Sequence, residues 1–217
     1  MRLDPAVLLL FPAFLLSVVV HECAHGLAAL WRGDPTARDA ARLTLNPLRH
    51  VDAIGSIVIP AVFALAHAPV LLGWARPVPV DRARLRDLRN DPPLVALAGP
   101  AANLALALTF AGVAALGKRF TAPPIEAFGV AGVSINVALA LLNLIPIPPL
   151  DGAWVLMRFL RLRHIIALHQ LRFLGWIAVT GLLVSPITSG PLFVTPLRTV
   201  VRATLGLFGV PGGEVAW

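Results

Sequence analysis

Cysteine occurs once in the 217 residues, at Cys23, which excludes an internal disulfide and a metal site built on thiolates. Charge is scarce too. Asp, Glu, Lys and Arg make up 13% of the chain against 58% apolar residues, and the mean hydropathy of +0.82 is far above that of a soluble domain this long. The charge-bearing stretches near 32–52 and 76–92 are too short to bury a core of their own, which excludes a separate water-soluble domain. No basic run is interleaved with aromatics, so the net charge of +7 does not point to nucleic acid. The arginines sit in short loops, where they mark the cytoplasmic side of a membrane. There is no internal repeat and no low-complexity segment. The chain reads as a single integral membrane domain over 1–217. It is all-α and polytopic, with about four to six transmembrane or re-entrant segments and short membrane-associated β-strands near the site.

The first apolar run predicts a helix. Asp4-Pro5 suits an N-cap and first helical residue, and the pattern continues to about Trp31, where Gly33, Asp34 and Pro35 stop it. That length spans a bilayer, with a bend expected at Pro12. A single Arg and no small-residue cleavage pattern argue that the helix is retained rather than removed as a signal peptide. The alternating "RLTLN" at 42–46 predicts a short strand, and "RPVPV" at 76–80 an extended stretch. Residues 55–75 are apolar but broken by Pro60, His67 and Pro69. Further spans are predicted at 93–116, with a small face at Gly99, Ala101 and Ala102, and at 129–147. A short polar-faced helix among Arg158, Arg161, Arg163 and Arg172 precedes a last span from near Phe173.

Against this apolar background "HECAH" at 21–25 stands out. Residues four apart on a helix lie one turn above each other, so His21 and His25 can grip one metal ion from a single face. Glu22 sits about 100° away, close enough to act on a metal-activated water without becoming a ligand. The alternative is a chance match in which the histidines satisfy hydrogen bonds within a bundle. Ionisable groups in membrane helices cost on the order of 3 kcal/mol each on insertion scales, which weighs against it. A catalytic zinc normally takes three protein ligands. His50 lies in a loop, and His164 and His169 lie near arginines; His67 stays open as a candidate, with a hydrogen-bonded core role competing. Asp151 is better placed. It follows a helix that Pro146, Pro148 and Pro149 must unwind, and irregular backbone at membrane depth is tolerated only when buried in protein or lining a wet cavity.

H-E-x-x-H at 21–25 together with N-x-x-P-x-P-x-L-D-G at 143–152 resembles the site-2 protease family of intramembrane zinc metalloproteases. "LTLNPLRHVDAIG" (43–55), "GWARPVPV" (73–80) and "LAGPAANLALAL" (97–108) are similar to a compact bacterial-type branch without PDZ or CBS domains. The resemblance implies one Zn2+ held by His21, His25 and Asp151, Glu22 as the catalytic carboxylate, and Asn143 near the scissile carbonyl. It implies a metalloendopeptidase acting in or near transmembrane segments of membrane-protein substrates, in a bacterial cell membrane. The branch usually has H-x-D-P where this chain has Asp52-Ala53, a departure that leaves the ligands intact. Two other classes compete. A zinc transporter would want polar residues in register along facing spans, and 93–116 offers only Asn103 and Thr109; an inactive scaffold is opposed by the intact Glu22.

The halves of such a site must meet at one depth. His25 and Asp151 both lie near the C-terminal ends of their helices, so those helices must run the same way, with an odd number of full crossings between them. Four arginines in 32–50 and five in 76–91 place both flanks of 55–75 on the cytoplasmic side. The segment 55–75 is therefore expected to enter and return, hinged near Pro60 or Pro69, rather than to cross. The N-terminus then lies outside and the site faces the cytoplasm.

Overall fold

The computed structural model of the chain describes residues 5–58, 76–170 and 172–211. Three helices are long and apolar enough to cross a membrane: α1 (Pro5–Trp31), α2 (Asp91–Arg119) and α3 (Pro123–Asn143). Shorter helices follow: α4 (Gly152–Met157), α5 (Leu162–Gln170), α6 (Arg172–Val184) and α7 (Thr195–Gly206). The 13 residues of α6 rise only about 20 Å against a hydrocarbon core of about 30 Å. Together with α5, bent by 65°, it makes a fourth candidate crossing. The protein is thus an integral membrane protein with three or four candidate crossings among the described residues.

α1 ends where glycine permits it. Gly33 takes φ +105°, and the amides of Gly33 and Asp34 fold back onto the carbonyls of Leu30 and Ala29 in a Schellman closure. The buried Asp34 carboxylate then accepts hydrogen bonds from the Thr36 hydroxyl and amide and from the Asp81 amide, which pins the loop after α1 to the loop before α2. Burial alone would raise the Asp34 pKa, but these three donors outweigh it and hold the carboxyl below the ordinary range.

The three long helices run in alternating directions. His25 meets Val95, while Ser17, two turns earlier on α1, meets Asn103 further along α2, so α1 and α2 are antiparallel. Gly129 packs on Ala114, Gly132 on Phe110 and Asn136 on Asn103, so α2 and α3 are antiparallel too. α1 and α3 therefore run the same way, as assembly of the site demands. Lipid offers no hydrophobic drive between helices, so close approach over small residues supplies the attraction. A Cβ at Gly129 or Gly132 would strike the Ala114 backbone or the Phe110 ring. Phe110 also meets Phe128 edge to face, centroids 5.5 Å apart, in a core that α7 completes with Leu197, Val201 and Leu205. Leu94, Leu97, Leu104 and Leu108 form an exposed stripe on the other side of α2, the face left for lipid.

Two expectations need correction. No strand forms among the described residues: 42–46 and 76–80 are extended, yet their backbone groups are taken by side chains rather than by each other. Cys23 Sγ and His50 Nε2 donate to the Thr44 carbonyl, Arg42 donates to the Arg76 carbonyl, and the Val78 amide donates to Glu22. The helix predicted at 129–147 starts at Pro123, whose fixed φ suits a first turn, and ends at Asn143, because the prolines from 146 onward lack the N–H that would continue it. The expected re-entrant stretch lies outside the described residues from 59 to 75. Its flanks are joined, however: the Arg76 amide donates to the His50 carbonyl at 2.8 Å, so the chain leaves and rejoins the fold at one point.

Candidate metal centre

His21 and His25 project from one face of α1 into the bundle, and the chain after α3 brings Asp151 to them. The turn that does so is tight: a Cβ on Gly152 would collide with the carbonyls of Leu144 and Ile145. His21 is buried, and the His25 and Asp151 side chains keep only 12% and 18% of their surface exposed. Among the described residues this is the one cluster of His, Cys, Asp or Glu side chains able to hold a metal.

The remaining ring nitrogens fix the tautomers of the two histidines. His25 Nδ1 lies 2.8 Å from the Val95 carbonyl, which can only accept, so Nδ1 carries the proton. His21 Nδ1 lies 2.6 Å from Asn103 Oδ1, and a buried relay sets which way that amide points. Asn136 Nδ2 donates to the Gly132 carbonyl and to Ser17 Oγ, and Ser17 Oγ–H donates to the Ala13 carbonyl. Asn136 must therefore offer its oxygen to Asn103 Nδ2, which also donates to the Ser17 carbonyl. Asn103 Oδ1 is left to accept from His21 Nδ1–H. Each step ends on a carbonyl that cannot donate, so the assignment follows from the hydrogen-bond partners.

The Nε2 atoms are consequently the nitrogens left to ligate, and both are aimed at one point. They are 3.0 Å apart, and Asp151 Oδ2 lies 3.2 Å from His21 Nε2 and 3.3 Å from His25 Nε2, buried and without a hydrogen-bond partner. Three such atoms at this spacing repel one another unless a proton or a metal cation lies between them. A tetrahedral zinc with bonds near 2.0–2.1 Å sets its ligands about 3.3 Å apart, close to the spacing seen. The residues therefore fit the metal. Gly99 of α2 makes room for them, since a Cβ there would stand 2.5 Å from both His21 Cε1 and His25 Nε2.

Glu22 lies off the ligand face with Oε2 held by the Val78 amide at 2.7 Å. The Asn143 amide donates to the Leu139 carbonyl one turn back on α3. Cys23 makes its contacts with Thr44 and His50, and His50, expected in a loop, is fully buried there. His164 is exposed and outside the cluster, and His67 lies outside the described residues.

Sequence reading noted Asn103 only as a sparse polar residue and passed over Ser17, Asn136 and the Val95 carbonyl. The signal was an amide in mid-span on each of two apolar helices, Asn103 and Asn136, since polar groups in membrane helices face the bundle interior and pair there. Asn103→Leu removes the acceptor of His21 Nδ1–H. We expect zinc affinity to fall about 10- to 100-fold, the usual effect of losing such an outer partner, measured by chelator competition on the purified protein.

The profile of peptidase family M50 matches residues 115–184, which include Asp151 but not the histidine pair. "Putative zinc metalloprotease YwhC" of Bacillus subtilis is 37% identical over 145 residues, 64% of this chain and 63% of that one. "Putative zinc metalloprotease Rip2" of Mycolicibacterium smegmatis is 32% identical over 183 residues (82% and 68%), and the Mycobacterium tuberculosis H37Rv protein of that name is 34% identical over 185 residues (83% and 68%). The chain thus spans about two thirds of the length of these relatives, and no solved structure matches it. With two relatives matched over two thirds of their length at more than 30% identity, the chain belongs to peptidase family M50, the site-2 protease family of zinc metalloproteases.

Proposed function

We propose that the protein is an intramembrane zinc metalloendopeptidase that hydrolyses peptide bonds in or near transmembrane segments of membrane-protein substrates, as in regulated intramembrane proteolysis. The observation that carries this reading is the convergence of two imidazole Nε2 atoms and one buried carboxylate oxygen beside Glu22, near the end of a membrane-spanning helix. His21, His25 and Asp151 would hold the ion. Bound there, zinc supplies Lewis acidity, acidifying water towards a pKa of about 7 and polarising a carbonyl.

The protein's own residues do the rest. Glu22 takes the water proton and passes it to the leaving nitrogen, base first and acid afterwards. The Val78 amide holds one Glu22 oxygen, which fixes the carboxylate plane and leaves the other for the proton. Asn143 engages one amide hydrogen at Leu139; we assign the second to the developing oxyanion, a contribution of about 3 kcal/mol for donors of this kind. The arginine-rich loops on either side of 55–75 support a bacterial cell-membrane location with the site towards the cytoplasm.

The test is reconstitution in liposomes with a single-span peptide substrate. Cleavage that a chelator stops and stoichiometric zinc restores is the expected result. Zinc flux across the vesicles without cleavage would replace proteolysis with transport.

A further inference from the structure

A cavity of about 280 Å³ lies between the start of α2 and α4, the helix that begins directly after Asp151. Three guanidinium groups line it: Arg82, Arg89 and Arg158. Arg82 Cζ sits over the Trp154 ring, 3.1 Å from its centroid, an arrangement that orients the cation through the ring quadrupole without neutralising it. None of the three makes an ion pair among the described residues. Asp87 feels the charge of Arg158 but is not at ion-pair distance from it. Burial draws the Arg82 pKa down to about 10, the mark of a desolvated cation that lacks a counter-ion.

The rest of the wall is apolar and includes Pro92, Trp154 and Met157. A small soluble anion would satisfy the guanidinium groups and leave that wall uncovered. A molecule with an anionic phosphodiester at one end and hydrocarbon at the other would use both. The cavity also opens where such a molecule is found: α2 enters the apolar layer at this point, and Leu88, Phe159 and Leu162 beside it are 67%, 78% and 72% exposed. Arginine and tryptophan are the side chains expected at headgroup depth, and basic pockets between helices on the cytoplasmic side are suited to anionic lipid headgroups.

We propose that this cavity binds the phosphodiester headgroup of an anionic glycerophospholipid, whose acyl chains lie along Leu88, Phe159 and Leu162. The three guanidinium groups supply forked donors to the phosphate oxygens, as arginine does for phosphate generally. The bound lipid bridges the loop before α2, through Arg82 and Arg89, to α4, through Arg158. It thereby braces the segment that carries Asp151.

The test uses the full chain with zinc bound, in nanodiscs of phosphatidylcholine containing one tenth phosphatidylglycerol, with co-purified lipid read by native mass spectrometry. The wild type is expected to retain phosphatidylglycerol over phosphatidylcholine, and Arg89→Gln/Arg158→Gln to lose that preference by about 30-fold, near a factor of five per guanidinium. This pair leaves the Arg82–Trp154 stack in place, and an unchanged zinc content reports that the variant is folded. Arg38→Gln/Arg198→Gln removes as much charge elsewhere and should keep the preference. Equal phosphatidylglycerol on the wild type and the Arg89/Arg158 variant overturns the proposal. So does inorganic phosphate displacing the lipid at equal concentration, which would assign the cavity to a soluble anion. Loss of preference in both double variants would also overturn it, since that would report net charge and not this cavity.

Discussion

Glu22→Gln retains one zinc per chain and loses cleavage by about a hundred- to ten-thousandfold, the range for removing a positioned general base. Both halves of this expectation follow from the helix. Glu22 is one residue from His21 and so about 100° around the axis from the ligand face, and its oxygen contacts the Val78 amide and not the ligand atoms. The glutamine amide keeps the side chain's size, and its oxygen can still accept from Val78, so the ion and the fold stay. What disappears is a group that can carry a proton. Single-turnover cleavage in liposomes, with metal content from the same preparation, checks both halves together.

Asp151→Asn has the opposite signature. The substitution keeps shape and volume but replaces an anionic oxygen with a neutral amide at the point where two imidazole Nε2 atoms converge. Zinc affinity should fall by at least about 100-fold, the upper end of what the loss of outer-shell partners costs and a lower limit for a lost ligand. Cleavage should vanish with the metal and should not return at stoichiometric zinc. The contrast separates the roles: the Glu22 variant is loaded and inactive, and the Asp151 variant is inactive because it is empty. If Asp151→Asn kept its zinc and lost only activity, the carboxylate would be a catalytic group rather than a ligand.

The parts of this site that sequence discloses are those set by local geometry. Two histidines four residues apart must share a helix face, and three prolines before Asp151 must unwind the chain there. The demand that both halves meet at one depth even fixed the relative direction of α1 and α3, which the contacts at Val95, Asn103 and Asn136 bear out. What stayed hidden depends on partners distant in sequence. Nothing near His21 says that its second nitrogen meets Asn103, 82 residues away, or that Asn136 sets the orientation of that amide. The predicted strand at 42–46 failed for a related reason. Alternation describes a chain able to pair, but the Thr44 carbonyl was claimed by Cys23 and His50, and the Val78 amide by Glu22. Tertiary hydrogen bonds from side chains outcompeted the ladder.

The relay also explains a feature that composition makes unusual. Ser17, Asn103 and Asn136 are fully buried polar residues in three predominantly apolar helices, where each unsatisfied polar group is costly. Their mutual hydrogen bonds meet that cost, and the last link presents a single acceptor to His21. The helices are thereby joined at the depth where the metal is needed.

Zinc-edge X-ray absorption on the purified wild-type protein tests the metal centre most directly. One zinc per chain is expected, with two imidazole nitrogens and oxygen neighbours, all at about 2.0–2.2 Å, and no sulfur near 2.3 Å. A sulfur shell would place Cys23 in the coordination sphere, and a spectrum lacking imidazole would remove His21 and His25 from it. Either result would contradict a centre built from His21, His25 and Asp151.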